Sequence, residues 1–67
     1  MKISYNKLWK QLIDKKMKKT DLQHLSGLSS SSIAKLGKDE PVTLEVLMKI
    51  CIVLDCNIED VIEFIKK

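Results

Sequence analysis

Two short apolar-periodic runs, residues 19–26 and 30–36, are separated by the single turn Gly27-Leu28, and this junction constrains the chain more than any other feature. Helices of that length, under about 12 residues, are not stable alone in water, so each must be held by its neighbour. Gly27 can take the left-handed conformation that closes a helix, and the chain then reverses sharply. Leu22 and Leu25 point inward from the first run, Ile33 and Leu36 from the second, and Leu28 fills the gap between them. The four consecutive serines, Ser29 to Ser32, admit two readings: the flexible linker that serine runs usually signal, or the start of a helix. Ser29 stands where an N-cap is needed, and Ile33 and Leu36 follow at helical spacing, which predicts a helix from Ser30 to Leu36.

The other apolar residues continue the pattern. A first helix is expected from Ser4, its N-cap, to Lys16, with Leu8, Leu12 and Ile13 inward and Trp9 as a core anchor. Gly37 is expected to end the third helix, and Lys38-Asp39-Glu40-Pro41 to form a polar loop. Thr43 caps a fourth helix over 44–54, with Leu47, Ile50, Cys51 and Leu54 on one stripe. Asn57 followed by Asp60 resembles a capping pair and predicts a fifth helix to Ile65, with Ile58, Val61, Ile62 and Ile65 inward. One proline, two glycines and little Thr, Tyr or Phe agree with an all-α class. A chain of 67 residues is expected to form one domain over 1–67, and at that size it buries only about 60% of its unfolded surface.

Several function classes are excluded by what the chain contains. Cys51 and Cys56 do not make the disulfide framework of a small secreted domain, and both are expected to be reduced. His24 is far from them, so no zinc site is expected, and it is read as a solvent-facing helix residue. No nucleophile stands at a recognisable spacing from a base, and there is no glycine-rich phosphate loop; the expectation is no catalysis, no cofactor and no small-molecule ligand. The start M-K-I-S-Y lacks the apolar run of a signal peptide and no segment reads as a membrane span, which places the protein in the cytoplasm.

Charge is distributed unevenly. Residues 1–38 hold nine lysines against two aspartates, a balance of +7, whereas residues 39–67 hold three lysines against seven acids, a balance of −4. Such asymmetry suits a protein with one face on a polyanion. Lys15, Lys16, Lys18, Lys19, Lys35 and Lys38 gather around the two short helices and their turn, the arrangement of a helix-turn-helix unit. The side of the third helix not held down by Ile33 and Leu36 carries Ser30, Ser31, Ser32 and Lys35. Hydroxyls donate and accept hydrogen bonds, short side chains let a helix lie deep in a major groove, and free N–H groups at a helix start attract phosphate.

The stretch M-K-K-T-D-L-Q-H-L-S-G-L-S-S-S-S-I-A-K-L, with T-L-E-V-L-M-K-I-C-I-V-L-D-C-N-I-E-D-V after it, resembles the Cro/CI-type helix-turn-helix family of phage-repressor-like transcription regulators. The resemblance covers Tyr5 to Phe64. It implies a compact five-helix, lambda-repressor-like DNA-binding domain whose second and third helices form the helix-turn-helix. It places Ser30, Ser31 and Lys35 at base-reading positions, Lys19 where the family usually has a glutamine that contacts the DNA backbone, and Lys38 in a loop that meets phosphate. Lys18, Ser29 and Ser32 complete the implied double-stranded-DNA-binding set. The chain departs from the family pattern at Lys18, where a capping Ser or Thr is common, and at Gln23, where alanine is usual and which is expected to angle outward unless Leu25 takes more of the packing. It departs again at Gly37 and Asp39, where glutamate and glycine are more familiar.

Apolar residues in excess of the core stripe, Val46, Met48, Ile52, Val53 and Phe64, point to self-association, and a homodimer on DNA is the expected state. The function expected is a sequence-specific transcriptional regulator, in the first instance a repressor. The alternative is a protein-interaction module, antitoxin-like or anti-repressor, that keeps the same shape with little DNA affinity. RNA binding has less support, since stacking platforms are lacking.

Overall fold

The computed structural model describes residues 1–66, and among these the chain runs β1 (Lys2–Ser4), α1 (Asn6–Asp14), α2 (Lys19–Ser26), α3 (Ser30–Gly37), α4 (Leu44–Leu54), a 3₁₀ turn (Ile58–Asp60) and β2 (Glu63–Ile65). Four of the expected helices form. The fifth does not, and the class is mostly helical with a small sheet, not all-α. The Asn57–Asp60 pair does cap, with the Asn57 N–H donating to the Asp60 carboxylate at 3.1 Å, but it opens only three residues of 3₁₀ helix. Beyond it, the β-branched and aromatic stretch E-F-I pairs antiparallel with K-I-S in the register Lys2↔Ile65, Ile3↔Phe64, Ser4↔Glu63. A terminal helix this short has little to hold it, whereas each strand offers the other a hydrogen-bonding edge. Val61 is buried and Ile62 packs on the core, but Ile58 and Ile65 are exposed, contrary to expectation.

The same strand pairing shortens α1. Ser4 is buried at the end of β1 and does not cap the helix; its hydroxyl accepts from the Asn6 N–H at 3.2 Å, and Tyr5 stands at the cap position. Tyr5, Leu8, Leu12, Leu22, Leu28, Leu36, Leu47, Ile50, Leu54 and Val61 form the core, with Trp9, Met17 and Ile33 packed half-buried at its margin. Two more residues expected inside lie outside: Ile13 is 74% exposed and Leu25 is 66% exposed. Helices of nine and eight residues present only a narrow stripe to so small a core, and Leu8–Leu12 and Leu22 occupy it. Gln23, by contrast, is half-buried.

Three helices end by one device that needs no glycine. Lys16, Asp39 and Asp55 take left-handed backbone angles with φ of 56, 56 and 52°. After each, the next N–H donates back to a carbonyl five residues earlier: Met17 to Leu12 at 2.8 Å, Glu40 to Lys35 at 2.9 Å, and Cys56 to Cys51 at 3.1 Å. This closure satisfies otherwise orphaned helix carbonyls and brings the two end side chains together. Gly37 therefore lies within α3, and the reversal expected there falls at Asp39. At the end of α4 the closure sets the Cys51 and Cys56 thiols side by side; burial, and then the neighbouring Cys56 thiol, raise the Cys51 thiol above its ordinary value.

Candidate nucleic-acid interface

The expected turn between α2 and α3 is present. Gly27 is left-handed with φ 71° and its N–H donates to the Gln23 carbonyl at 3.0 Å. Leu28 then drops into the core and the chain emerges at Ser29. The Ser29 hydroxyl oxygen accepts from the Ser32 N–H at 3.3 Å, the N-cap that starts α3. The same hydroxyl donates to the Ser32 hydroxyl at 3.2 Å and lies 3.0 Å from that of Ser31. The serine run is thus the first turn of a helix, tied together by its own hydroxyls, and not a linker.

Leu36 and Ile33 press α3 onto the core, and the opposite side faces solvent. Ser29, Ser30, Ser31, Lys35 and Lys38 are exposed, and Ser32 is half-buried at the edge. Ala34 and Thr20 are exposed beside them and were not anticipated; Ala34 lies three residues after Ser31 and four after Ser30, so helical spacing alone could have placed it on this face. The N–H groups of Ser30 and Ser31, at the first positions of α3, have no acceptor within the helix.

Lys18 and Lys19 open α2 beside this surface. The Lys18 backbone N–H donates to the Asp21 carboxylate at 2.9 Å, the N3-to-cap half of a capping box, while the lysine side chain offers no acceptor for the first amides of α2. The Lys19 ammonium sits 4.5 Å from the centroid of the Trp9 ring. It also lies over the end of α3: a Cβ on Gly37 would approach it to 3.7 Å. Trp9 packs half-buried against the core, and one of its faces carries a cation, an arrangement worth about 0.5–1 kcal/mol at an exposed site. The loop after α3 is fixed from α1, where the Tyr5 N–H donates to the Asp39 carboxylate at 3.2 Å and the Tyr5 hydroxyl to the Glu40 carbonyl at 2.7 Å. Burial first, and Asp39 second, push the Tyr5 phenol above its ordinary value.

Among the described residues the one ion pair is Lys49 with Glu45, at 3.5 Å and within α4. The lysines around α2 and α3 carry no carboxylate partner within that range, and of them Lys19 is held against the Trp9 ring. His24, in the last turn of α2, is exposed. No helix among the described residues is long and apolar enough to cross a membrane.

Residues 7–67 match the family model of the Cro/C1-type HTH DNA-binding domain. The structure is similar to the crystal structure of the transcriptional regulator VanUg, with 52% sequence identity, a TM-score of 0.93, and coverage of 98% of this chain and 88% of that one. No curated protein matches significantly.

Proposed function

The chain belongs to the Cro/C1-type helix-turn-helix family of DNA-binding domains and is a DNA-binding regulator; we propose that it reads specific sequences by laying α3 in the major groove, works as a homodimer in the cytoplasm, and represses. The observation that carries the reading is the outward side of α3, a row of hydroxyls ending in Lys35 and ringed by ammonium groups that have no carboxylate partner. Ser30, Ser31 and Lys35 contact base edges, the Ala34 methyl meets thymine methyls, and Ser29 and Ser32 fix the helix start so that its free amides face a phosphate. Lys18, Lys19 and Lys38 bind the backbone on either side of the groove. With no arginine in the chain, the bidentate guanine contact is reduced to what Lys35 can reach, and DNA shape carries more of the discrimination. Occupying a promoter in this way blocks polymerase without further machinery, which is the reason for reading the output as repression.

Pairing is supported by α4. Leu44, Met48 and Ile52, one turn apart, are 69%, 62% and 75% exposed and form a single apolar ridge. The same ridge is what a protein-interaction module would use, and that second reading is preferred if duplex DNA is not bound even at low salt. Selection of bound sequences from a random duplex pool tests the proposal: an enriched inverted repeat with half-site centres about 34 Å apart is expected, and no enrichment overturns it.

A further inference from the structure

Three sulfur atoms that the DNA-binding reading does not use converge on one groove. Cys51 on α4 and Cys56 beyond it are brought side by side by the left-handed turn at Asp55, and Met48 lies one turn before Cys51 on the same helix. All three line an open groove of about 330 Å³ whose remaining walls are Leu44, Leu47, Ile52, Asn57 and Ile58. The Cys56 sulfur is not an inert packing group. The Gln11 side-chain amide, reaching across from α1, lies 3.8 Å from it while donating to the Asp60 carbonyl at 2.6 Å. An N–H held beside a sulfur orients it, as outer-shell groups do around metal-bound ligands.

We propose that Cys51, Cys56 and Met48 form a binding site for a soft, thiophilic monovalent cation, Cu(I). Two thiolates and a thioether in an apolar setting match the ligand preference of Cu(I). They do not match zinc, which takes four ligands in structural sites, and no group of three or more His, Cys, Asp or Glu among the described residues is placed to complete such a set. Binding converts two thiols and Cu(I) into a bis-thiolate complex of net charge −1, releases two protons to solvent and moves no electrons. Met48 is exposed and has three rotatable bonds, so its sulfur can swing onto the ion from the groove mouth. The site stands apart from the DNA-binding face, although Leu44, Met48 and Ile52 of its groove also form the ridge assigned above to pairing.

The test is an anaerobic titration of the reduced, DNA-free full chain with Cu(I) in competition with bicinchoninate, followed by the ultraviolet thiolate-to-copper band. One Cu(I) per chain is expected, with both thiols recovered when excess chelator strips the ion. Losing a ligand should cost at least what losing an outer-shell partner does, so Cys51→Ala and Cys56→Ala should each weaken binding about tenfold or more; Met48→Leu should weaken it by a smaller factor, and Zn(II) should bind more weakly than Cu(I). The proposal is overturned if the wild-type chain takes no Cu(I) from the chelator, if either cysteine variant binds as tightly as wild type, or if the stripped protein has lost its thiols to a disulfide. Met48→Leu keeps an apolar side chain of similar volume on the α4 ridge, so folding and pairing are retained and the test stays readable should a cysteine variant fail to fold; unchanged affinity there removes the three-sulfur site.

Discussion

The α2–α3 unit and the α4-to-β2 segment bury their apolar stripes on the same core yet expose opposite chemistries. Between Lys19 and Lys38 a glycine closes α2 and a serine opens α3, each residue suited to its backbone angle, and the outward side of α3 is left with hydroxyls and ammonium groups. Between Leu44 and Ile65 the helix ends on an aspartate in a left-handed conformation, an edge strand follows the 3₁₀ turn, and the large apolar residues Leu44, Met48, Ile52 and Phe64 are left outside among acids. The difference teaches that in so small a domain the core consumes one face of each helix and function is assigned by the residue. A polar residue of high charge suits a polyelectrolyte, an apolar one a protein surface or a soft ligand.

The sharpest way to break this comparison is to attack the floor of the first region. Leu36 is fully buried beneath the serine face, and Leu36→Ala should cost about 2–5 kcal/mol in urea unfolding. Leu25→Ala, one helix away but exposed, should cost less than about 0.5 kcal/mol; equal losses would mean that α2 is rotated from the orientation described.

The joint between the regions comes next. Tyr5→Phe removes the hydrogen bond to the Glu40 carbonyl and should destabilise by about 1–2 kcal/mol. Because the phenol is held above its ordinary value of 10.0, its neutral form is favoured by folding. That contribution is complete below the unfolded value and disappears as pH rises through the folded one. Wild-type stability should therefore fall faster than that of Tyr5→Phe above pH 10.0, and parallel pH profiles would contradict the buried placement of Tyr5.

The helix ends give a pair of opposite signs. Gly27→Ala meets no atom within 4 Å, so its cost is conformational alone, about 1 kcal/mol. Asp55→Gly relieves a left-handed aspartate and should stabilise by up to about 1 kcal/mol. Thermal unfolding distinguishes them, and a destabilised Asp55→Gly would show that its side chain holds the end of α4. The smallest expected change in stability belongs to Met48→Lys. At an exposed site it should alter folding by less than about 0.5 kcal/mol while shifting sedimentation toward the monomer; unchanged association would move pairing away from α4.

Much of this was legible in the sequence because the relevant residues act locally. Gly27, Ser29 and Thr43 fix their own turns and caps, and α2, α3 and α4 begin where those residues place them. The ends at Lys16, Asp39 and Asp55 were not legible, since nothing about a lysine or an aspartate announces a left-handed angle; the five-residue return bond and packing impose it. The β1–β2 pairing joins residues some sixty positions apart, and capping residues at Asn57 and Asp60 favoured a helix that no tertiary contact supports. Within the candidate interface the exposed lysines and serines followed from helical spacing. The Lys19–Trp9 stack did not, because it depends on how α1 crosses α2.

The central claim, that the outward face of α3 engages duplex DNA, is tested most directly by the salt dependence of binding. Trp9, with Lys19 against its ring, supplies an intrinsic fluorescence signal for the titration. If about four lysines per protomer neutralise phosphates, log affinity should fall with log salt at a slope of about −3.6 per protomer, and Lys19→Ala should flatten it by about 0.9. Lys35→Ala and Ser31→Ala should lower affinity for a selected site more than for random duplex. Absence of binding at low salt, or a slope and preference indifferent to all three substitutions, would contradict the account.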